Sequence, residues 1–170
     1  QLEVKAIHVN HNLSKKSKAW EDHCKKICSI LNIDLTIESV QIISDGGGIE
    51  SASRKARYKI FENLLESGDQ ILLAHHSDDV AETIFMRLLR GTGVDGLEGP
   101  KFTREIGKGR LIRPLLKITK KEILNYLAEN NIQYIEDDSN INNEFDRNFL
   151  RNKIFPMLED RWKGFSKRIN

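Results

Sequence analysis

The sequence predicts an α/β fold, a doubly wound parallel sheet followed by a small helical extension. Three observations predict it. Apolar runs of strand length alternate with amphipathic stretches of helical period between Val4 and Arg90, and that alternation builds parallel strands joined by right-handed crossovers. The run Gln70–His75 ends abruptly in ionisable residues, as a strand does when its carboxyl end opens on a ligand crevice. After glycines at 91, 93, 96 and 99 the pattern turns irregular and later resumes as helix. Residues 1–116 are therefore expected to form the α/β core and residues 117–170 the extension.

Each element follows from its own spacing. Val4–Asn10 reads as a buried strand. Trp20, Cys24, Ile27 and Leu31 recur at intervals of three and four, which gives a helix one apolar face. Leu35–Ile43 is the next strand, and Ser44–Gly48 a glycine-rich connector that matches no phosphate-loop pattern. Ile49–Glu66 is a helix with Ala52, Ala56, Ile60 and Leu64 inward. Gln70–His75 is the third strand, and Asp79–Arg90 the third helix. Arg110–Leu116 resumes the sheet. Thr119 and Glu122 form a capping box for a helix whose apolar side is Ile123, Leu124, Leu127 and Ala128. Tyr134–Asn140 reads as a short strand and turn, and Asp146–Phe155 as a basic helix stopped by Pro156.

Composition narrows the class. Apolar residues are 39% and charged residues 31% of 170, which describes a globular chain. A balance of 27 basic against 25 acidic residues leaves +2, so any nucleic-acid surface must be local. No apolar run reaches the ~18 residues that span a bilayer, and no signal peptide shows at Gln1. Cys24 and Cys28, one helical turn apart, suit small core residues in a reducing cytoplasm better than a disulfide or metal framework. The chain opens almost directly on a strand and closes without a clear stop after Trp162, as a truncated sequence would.

Several groups invite chemistry, and each has a plainer explanation. His75 and His76 stand at a strand end and, pointing to opposite faces, should not share one task. Asp78 and Asp79 suit a helix first turn for electrostatic reasons alone. Asp79, Glu82, Met86 and Arg90 nevertheless share one stripe, and two carboxylates a turn apart can hold an ammonium group or a metal ion. Glu50, Arg54 and Arg57 line one helix edge, either as an ordinary surface pairing or as a fork for carboxylate or phosphate. Arg90, Gly91 and Gly93 offer a phosphate contact or simply a helix C-cap. Arg147 and Arg151, with Asn148 and Asn152 beside them, suit RNA phosphates and base edges or a solvated basic face.

Together, "AIHVNHNL", "GIESASRKARYKIF", "AHHSDDVAETIFMRLLRGTGVDGLEG", "RLIRPLL" and "IEDDSN" followed by "DRNFLRNKIFPML" occur in the order found in bacterial tRNA(Ile)-lysidine synthetases. The resemblance runs from about Ala6 to Trp162, and its most specific blocks are H-H-x-D-D-x-x-E-T and R-N-x-x-R-N. It implies a member of the ATP pyrophosphatase, or PP-loop, group, with a Rossmann-like, adenine nucleotide alpha hydrolase-like sheet. The implied reaction adenylates the wobble cytidine of an isoleucine tRNA with a CAU anticodon and then ligates L-lysine to it.

The resemblance also distributes roles. Asp79 and Glu82 are expected to hold the lysine amine, with Arg54 or Arg57 on its carboxylate and His75 orienting the reacting groups beside Asp79. His11, Arg90, Gly91 and Gly93 are the ATP candidates, and Arg113, Arg147, Asn148, Arg151 and Asn152 the tRNA contacts. The acidic pair and the arginines are expected to converge on one cavity. ATP and Mg are the implied cofactors, no resident metal site is expected, and a homodimer is a candidate assembly in the cytoplasm. The family's S-G-G-x-D-S loop is not in this sequence, so these residues alone are not expected to bind ATP normally. Two rivals share the pattern: a PP-loop tRNA thiolase, which would use cysteine or persulfide chemistry, and a non-catalytic nucleotide- or RNA-binding module.

Overall fold

The computed structural model describes residues 3–43 and 48–169. Ser44–Gly47, and with them most of the expected glycine-rich connector, lie outside the described residues. The chain forms two compact units, the first from residues 1–67 and 106–109, the second from residues 68–105 and 110–170. The expected helical extension belongs wholly to the second.

In the first unit, strands β1 (Lys5–Asn10) and β2 (Asp34–Ser39) pair in parallel from Lys5↔Asp34 to Asn10↔Ser39. Helix α1 (Ser17–Ile30) connects them, as parallel pairing requires. None of its residues is fully buried, so Cys24 and Cys28 are half-buried rather than core, and Cys24 Sγ lies 3.5 Å from His8 Nδ1. β2 is shorter than its apolar run suggests. Helix α2 (Ile49–Leu64) buries Ala52 as expected, but with Tyr58 and Phe61 rather than Leu64, which is exposed. The two rings pack 5.9 Å apart, and their larger apolar area decides which face turns inward.

The second unit holds the sheet β3 (Gln70–Leu72), β5 (Gly109–Ile112) and β4 (Thr103–Ile106), in the order β3-β5-β4. β3 and β5 are parallel, Ile71 facing Leu111 across the pair. Helix α3 (Ser77–Leu89) leaves the carboxyl end of β3, and α4 (Lys120–Glu129) follows β5. The Thr119–Glu122 capping box forms as the sequence predicts: Thr119 N–H donates to Glu122 Oε2 at 2.8 Å, and Glu122 N–H to Thr119 Oγ1 at 3.2 Å. Ile123, Leu124 and Leu127 are half-buried on that helix, whereas Ala128 is exposed.

Two expectations fail here. Tyr134–Asn140 contains no strand; a 3₁₀ turn spans Asp138–Ile141 because the Asp137 carboxylate accepts the Ser139 N–H at 2.9 Å and bends the chain locally. Pro156 does not stop the basic helix. Helix α5 (Asp146–Phe149) widens into a π turn at Leu150–Ile154 and continues as α6 (Phe155–Arg161), followed by α7 (Phe165–Ile169). Phe155 N–H reaches back to the Leu150 carbonyl, and Pro156 stands in the first turn of α6, where a missing N–H is tolerated.

This packing is anchored by three rings. Phe85, Phe155 and Phe165 meet edge-on at centroid distances of 5.2–5.5 Å, beside buried Ala81 and Leu150. Such pairs add ~0.5–1.5 kcal/mol each beyond their buried area. They fix which side of α3 faces the C-terminal helices, and with it the setting of Glu82. Among the described residues no helix is long and apolar enough to cross a membrane.

Candidate active site

The amino end of α3 gathers the ionisable residues for local reasons first. Ser77 N–H donates to the Ile118 carbonyl, which ties the start of the helix to the chain after β5. Asp79 reaches back so that its Oδ2 accepts the His76 backbone N–H at 2.9 Å. Asp78 faces another way: its Oδ2 accepts the Lys120 N–H at 2.8 Å and its Oδ1 the Ser166 hydroxyl at 3.0 Å. One acidic residue closes the helix; the other joins it to α4 and α7.

Glu82 is a different case. It is completely buried, and Arg151 grips it with two parallel bonds, Nε to Oε1 at 2.6 Å and Nη2 to Oε2 at 3.0 Å. Arg147 Nε stands 3.5 Å from Oε2, and Arg151 Nη2 lies 3.5 Å from Asp79 Oδ1. Burial pushes the Glu82 carboxyl up, an effect that Arg151 partly offsets. On the arginine, burial acts downward, and Glu82 with Asp79 and Asp78 outweighs it, so the Arg151 guanidinium is raised. The bidentate geometry and the second guanidinium support a charged pair. Glu82 is therefore not an open carboxylate awaiting an ammonium group: its oxygens are engaged by a side chain 69 residues away.

The two histidines take separate partners. His75 Nδ1 accepts from Arg113 Nε at 3.2 Å. His76 caps α3, with Nε2 3.5 Å from Asp79 and Nδ1 3.6 Å from Asp78. Arg113, expected on RNA, is only 3% exposed, and its Nη1 also donates to the Lys101 carbonyl at 2.6 Å.

The asparagines of R-N-x-x-R-N face the chain itself. Asn148 Nδ2 donates to the carbonyls of Ser139 and Asn142 at 2.7 and 2.8 Å; Asn152 Nδ2 donates to the Asn140 carbonyl and Asn143 Oδ1 at 2.9 and 3.0 Å. Both amides hold the turn after Asp137 to the basic helix. Arg90 and Gly93 are exposed, and Gly91 takes φ +77°, where its N–H bonds the Leu88 carbonyl as a helix-ending glycine does.

In the first unit, Arg54 is folded over Tyr58, its carbon 4.6 Å from the ring centroid and Nη2 donating to the phenol oxygen at 3.0 Å. Arg57 is different. Its Nε is buried without a hydrogen-bond partner, and burial lowers the guanidinium. His11 Nδ1 is likewise unpartnered, and burial followed by the Arg57 charge pulls its imidazole down. These nitrogens suit an anion, whose charge would compensate the guanidinium.

A divalent ion finds no such opening. Among the described residues no three His, Cys, Asp or Glu side chains gather as a ligand set, and the carboxylates of Asp78 and Glu82 are engaged by Lys120, Ser166 and Arg151. The described residues do not fit a resident metal.

Comparison with known proteins follows the same outline. A family described as the PP-loop domain (ATP_bind_3) matches residues 1–158. The tRNA(Ile)-lysidine synthase of Coxiella burnetii is 43% identical over 161 residues, 94% of this chain and 36% of that protein. The synthase of Escherichia coli O157:H7 is 40% identical over 96% of this chain and 38% of its own length. The chain thus spans little more than a third of these curated relatives. The U34-tRNA thiolase NcsA of Methanococcus maripaludis, solved with its [4Fe-4S] cluster, superposes with a TM-score of 0.69 at 20% identity, covering 96% of this chain and 58% of that one. That likeness supports the α/β fold and its parallel sheet.

Proposed function

The chain belongs to the PP-loop domain family, and from that premise we propose that it is part of a tRNA(Ile)-lysidine synthase, an ATP-dependent carbon–nitrogen ligase. The observation that carries the proposal is the continuous likeness to lysidine synthases over nearly the whole chain. The substrates would be ATP, L-lysine and an isoleucine tRNA with a CAU anticodon. ATP adenylates the wobble cytosine at its carbonyl oxygen and pyrophosphate leaves. The lysine side-chain amine then forms a bond to the same ring carbon, and the carbon–oxygen bond breaks toward departing AMP.

The geometry redistributes the work among the side chains. Asp79 is the proposed partner of the lysine ammonium: it is half-buried, and its position is fixed by the His76 N–H. Glu82 supports it indirectly by holding Arg151 against Asp79 Oδ1. Arg57, with His11 near it, is the proposed anion-binding group of the first unit, in preference to Arg54, which Tyr58 occupies. Arg147, partly exposed beside the Glu82 pair, is the proposed tRNA phosphate contact. Arg90 remains a candidate for nucleotide phosphate. Asn148 and Asn152 act by shaping the turn they hold.

The test is ATP-dependent incorporation of labelled lysine into tRNA(Ile) transcript by the full-length protein. Incorporation that vanishes when the wobble cytidine is replaced by uridine is expected. Folded full-length protein that leaves lysine unincorporated overturns the proposal.

A further inference from the structure

His75 leaves β3 two residues beyond the last parallel contact, where Leu73 N–H donates to the Ile112 carbonyl. Arg113 follows Ile112 directly, so the sheet register itself brings the two side chains together. Arg113 is locked from three directions: its N–H donates to the Phe102 carbonyl at 2.8 Å, Nη1 to the Lys101 carbonyl at 2.6 Å, and Nε to His75 Nδ1 at 3.2 Å. Arginine offers only donors and does not give up its proton in proteins. His75 Nδ1 must therefore present a lone pair. In a neutral imidazole one nitrogen accepts and the other donates, so the ring proton resides on Nε2.

We propose that Arg113 is a positioning residue that fixes His75 as the neutral Nε2–H tautomer, so that His75 serves as a hydrogen-bond donor to an oxygen gaining negative charge rather than as a general base. A permanent cation on Nδ1 opposes a second positive charge on the same ring. His76 makes the contrast: carboxylates of Asp78 and Asp79 lie near its ring, whereas the Arg113 guanidinium donates to His75. A fixed donor in a half-buried position stabilises developing charge without reorganising. The tautomer assignment stands on the geometry alone; its consequence for catalysis rests on the lysidine synthase reading.

The experiment is ¹⁵N spectroscopy of histidine-labelled full-length protein, with the His75 signals identified by their loss in His75→Gln. The expected result at neutral pH is a pyridine-like Nδ1 and a protonated, pyrrole-like Nε2. Protonated Nδ1, or rapid averaging of the two tautomers, overturns the proposal. Arg113→Lys and the more disruptive Arg113→Met are expected to restore averaging in protein that remains folded; an unchanged tautomer in folded Arg113→Lys overturns the positioning role. In the lysine-incorporation assay His75→Ala should lose roughly 10²–10³ in kcat, while His75→Gln, which keeps an amide donor, stays within about tenfold of wild type. Equal losses overturn the donor role. Absence of incorporation by wild type refutes the synthase reading and leaves the spectroscopic result standing.

Discussion

Replacing Glu82 by Gln removes one charge from the Arg151 pair while preserving its shape. Bonds of 2.6 and 3.0 Å place the two charge centres about 4 Å apart, an attraction of about 4 kcal/mol at an effective dielectric of ~20. In the variant, Arg151 would face Arg147 with the carboxylate between them gone. The Arg151 side chain is 24% exposed, however, and retained hydration reduces the penalty. The expected net cost is roughly 2–4 kcal/mol, below the upper end for a wholly buried partner. In a chain of this size that corresponds to a fall in Tm of roughly 5–15 °C. Denaturant unfolding of Glu82→Gln, Arg151→Met and the double variant measures it, with a coupling of at least about 1.5 kcal/mol expected and the double variant less damaged than the sum. A cost below about 0.5 kcal/mol would refute the reasoning. So would undiminished stability with a raised KM for lysine, which would return Glu82 to the substrate.

Asp79→Asn in the full-length enzyme should abolish lysine transfer while most ATP–pyrophosphate exchange survives; equal loss of both half-reactions removes Asp79 from the lysine site. Arg147→Ala should weaken tRNA binding across sequences and flatten its salt dependence by about one phosphate contact, measured by titration at several salt concentrations; an unchanged slope contradicts the phosphate role. Asn148→Ala leaves the Ser139 and Asn142 carbonyls without their amide donor and should cost about 1–3 kcal/mol in unfolding while leaving that salt slope alone. Lys167, Thr119 and the Thr119 backbone hold the Glu122 carboxyl down to about 2. Because the folded value is depressed, this contribution to stability is present above the ordinary value of 4.5 and is lost as pH falls through about 2. A ¹³C carboxyl titration should show that low midpoint, moving back up in Lys167→Ala.

The sequence made visible whatever depends on neighbours in the chain. The presence of β1 and α1 follows from period, and the Thr119 capping box from a four-residue pattern whose partners are three apart. Contacts across long separations were not legible. A helical wheel places Asp79, Glu82 and Met86 on one stripe of α3, but cannot say that Ala81 and Phe85 dock on the C-terminal rings and carry Glu82 and Met86 inward with them. Leu88 and Leu89, though apolar, are exposed near the helix end. Arg113 looks like any basic residue before a proline, and only the β3–β5 register shows that it is buried against His75. The signal that existed was its strand-end position opposite the H-H pair.

The R-N-x-x-R-N block shows what residue type alone leaves open. Arginine and asparagine four apart suit RNA, and the same spacing equally suits two internal duties on adjacent faces. Arg147 and Arg151 turn toward Glu82 on α3, while Asn148 and Asn152 turn toward the carbonyls of the preceding turn. The second pair, Arg151 and Asn152, lies within the π turn at Leu150–Ile154, whereas the first lies in α5 before it. Arg151 cannot leave Glu82 without exposing a buried carboxylate, so its contribution at Asp79 is fixed by the fold rather than by substrate. Arg147 stands farther from Glu82, at 3.5 Å, and is the more exposed of the two. Of the pair, it is the one we propose for RNA, because the shorter bidentate contact commits Arg151 to Glu82.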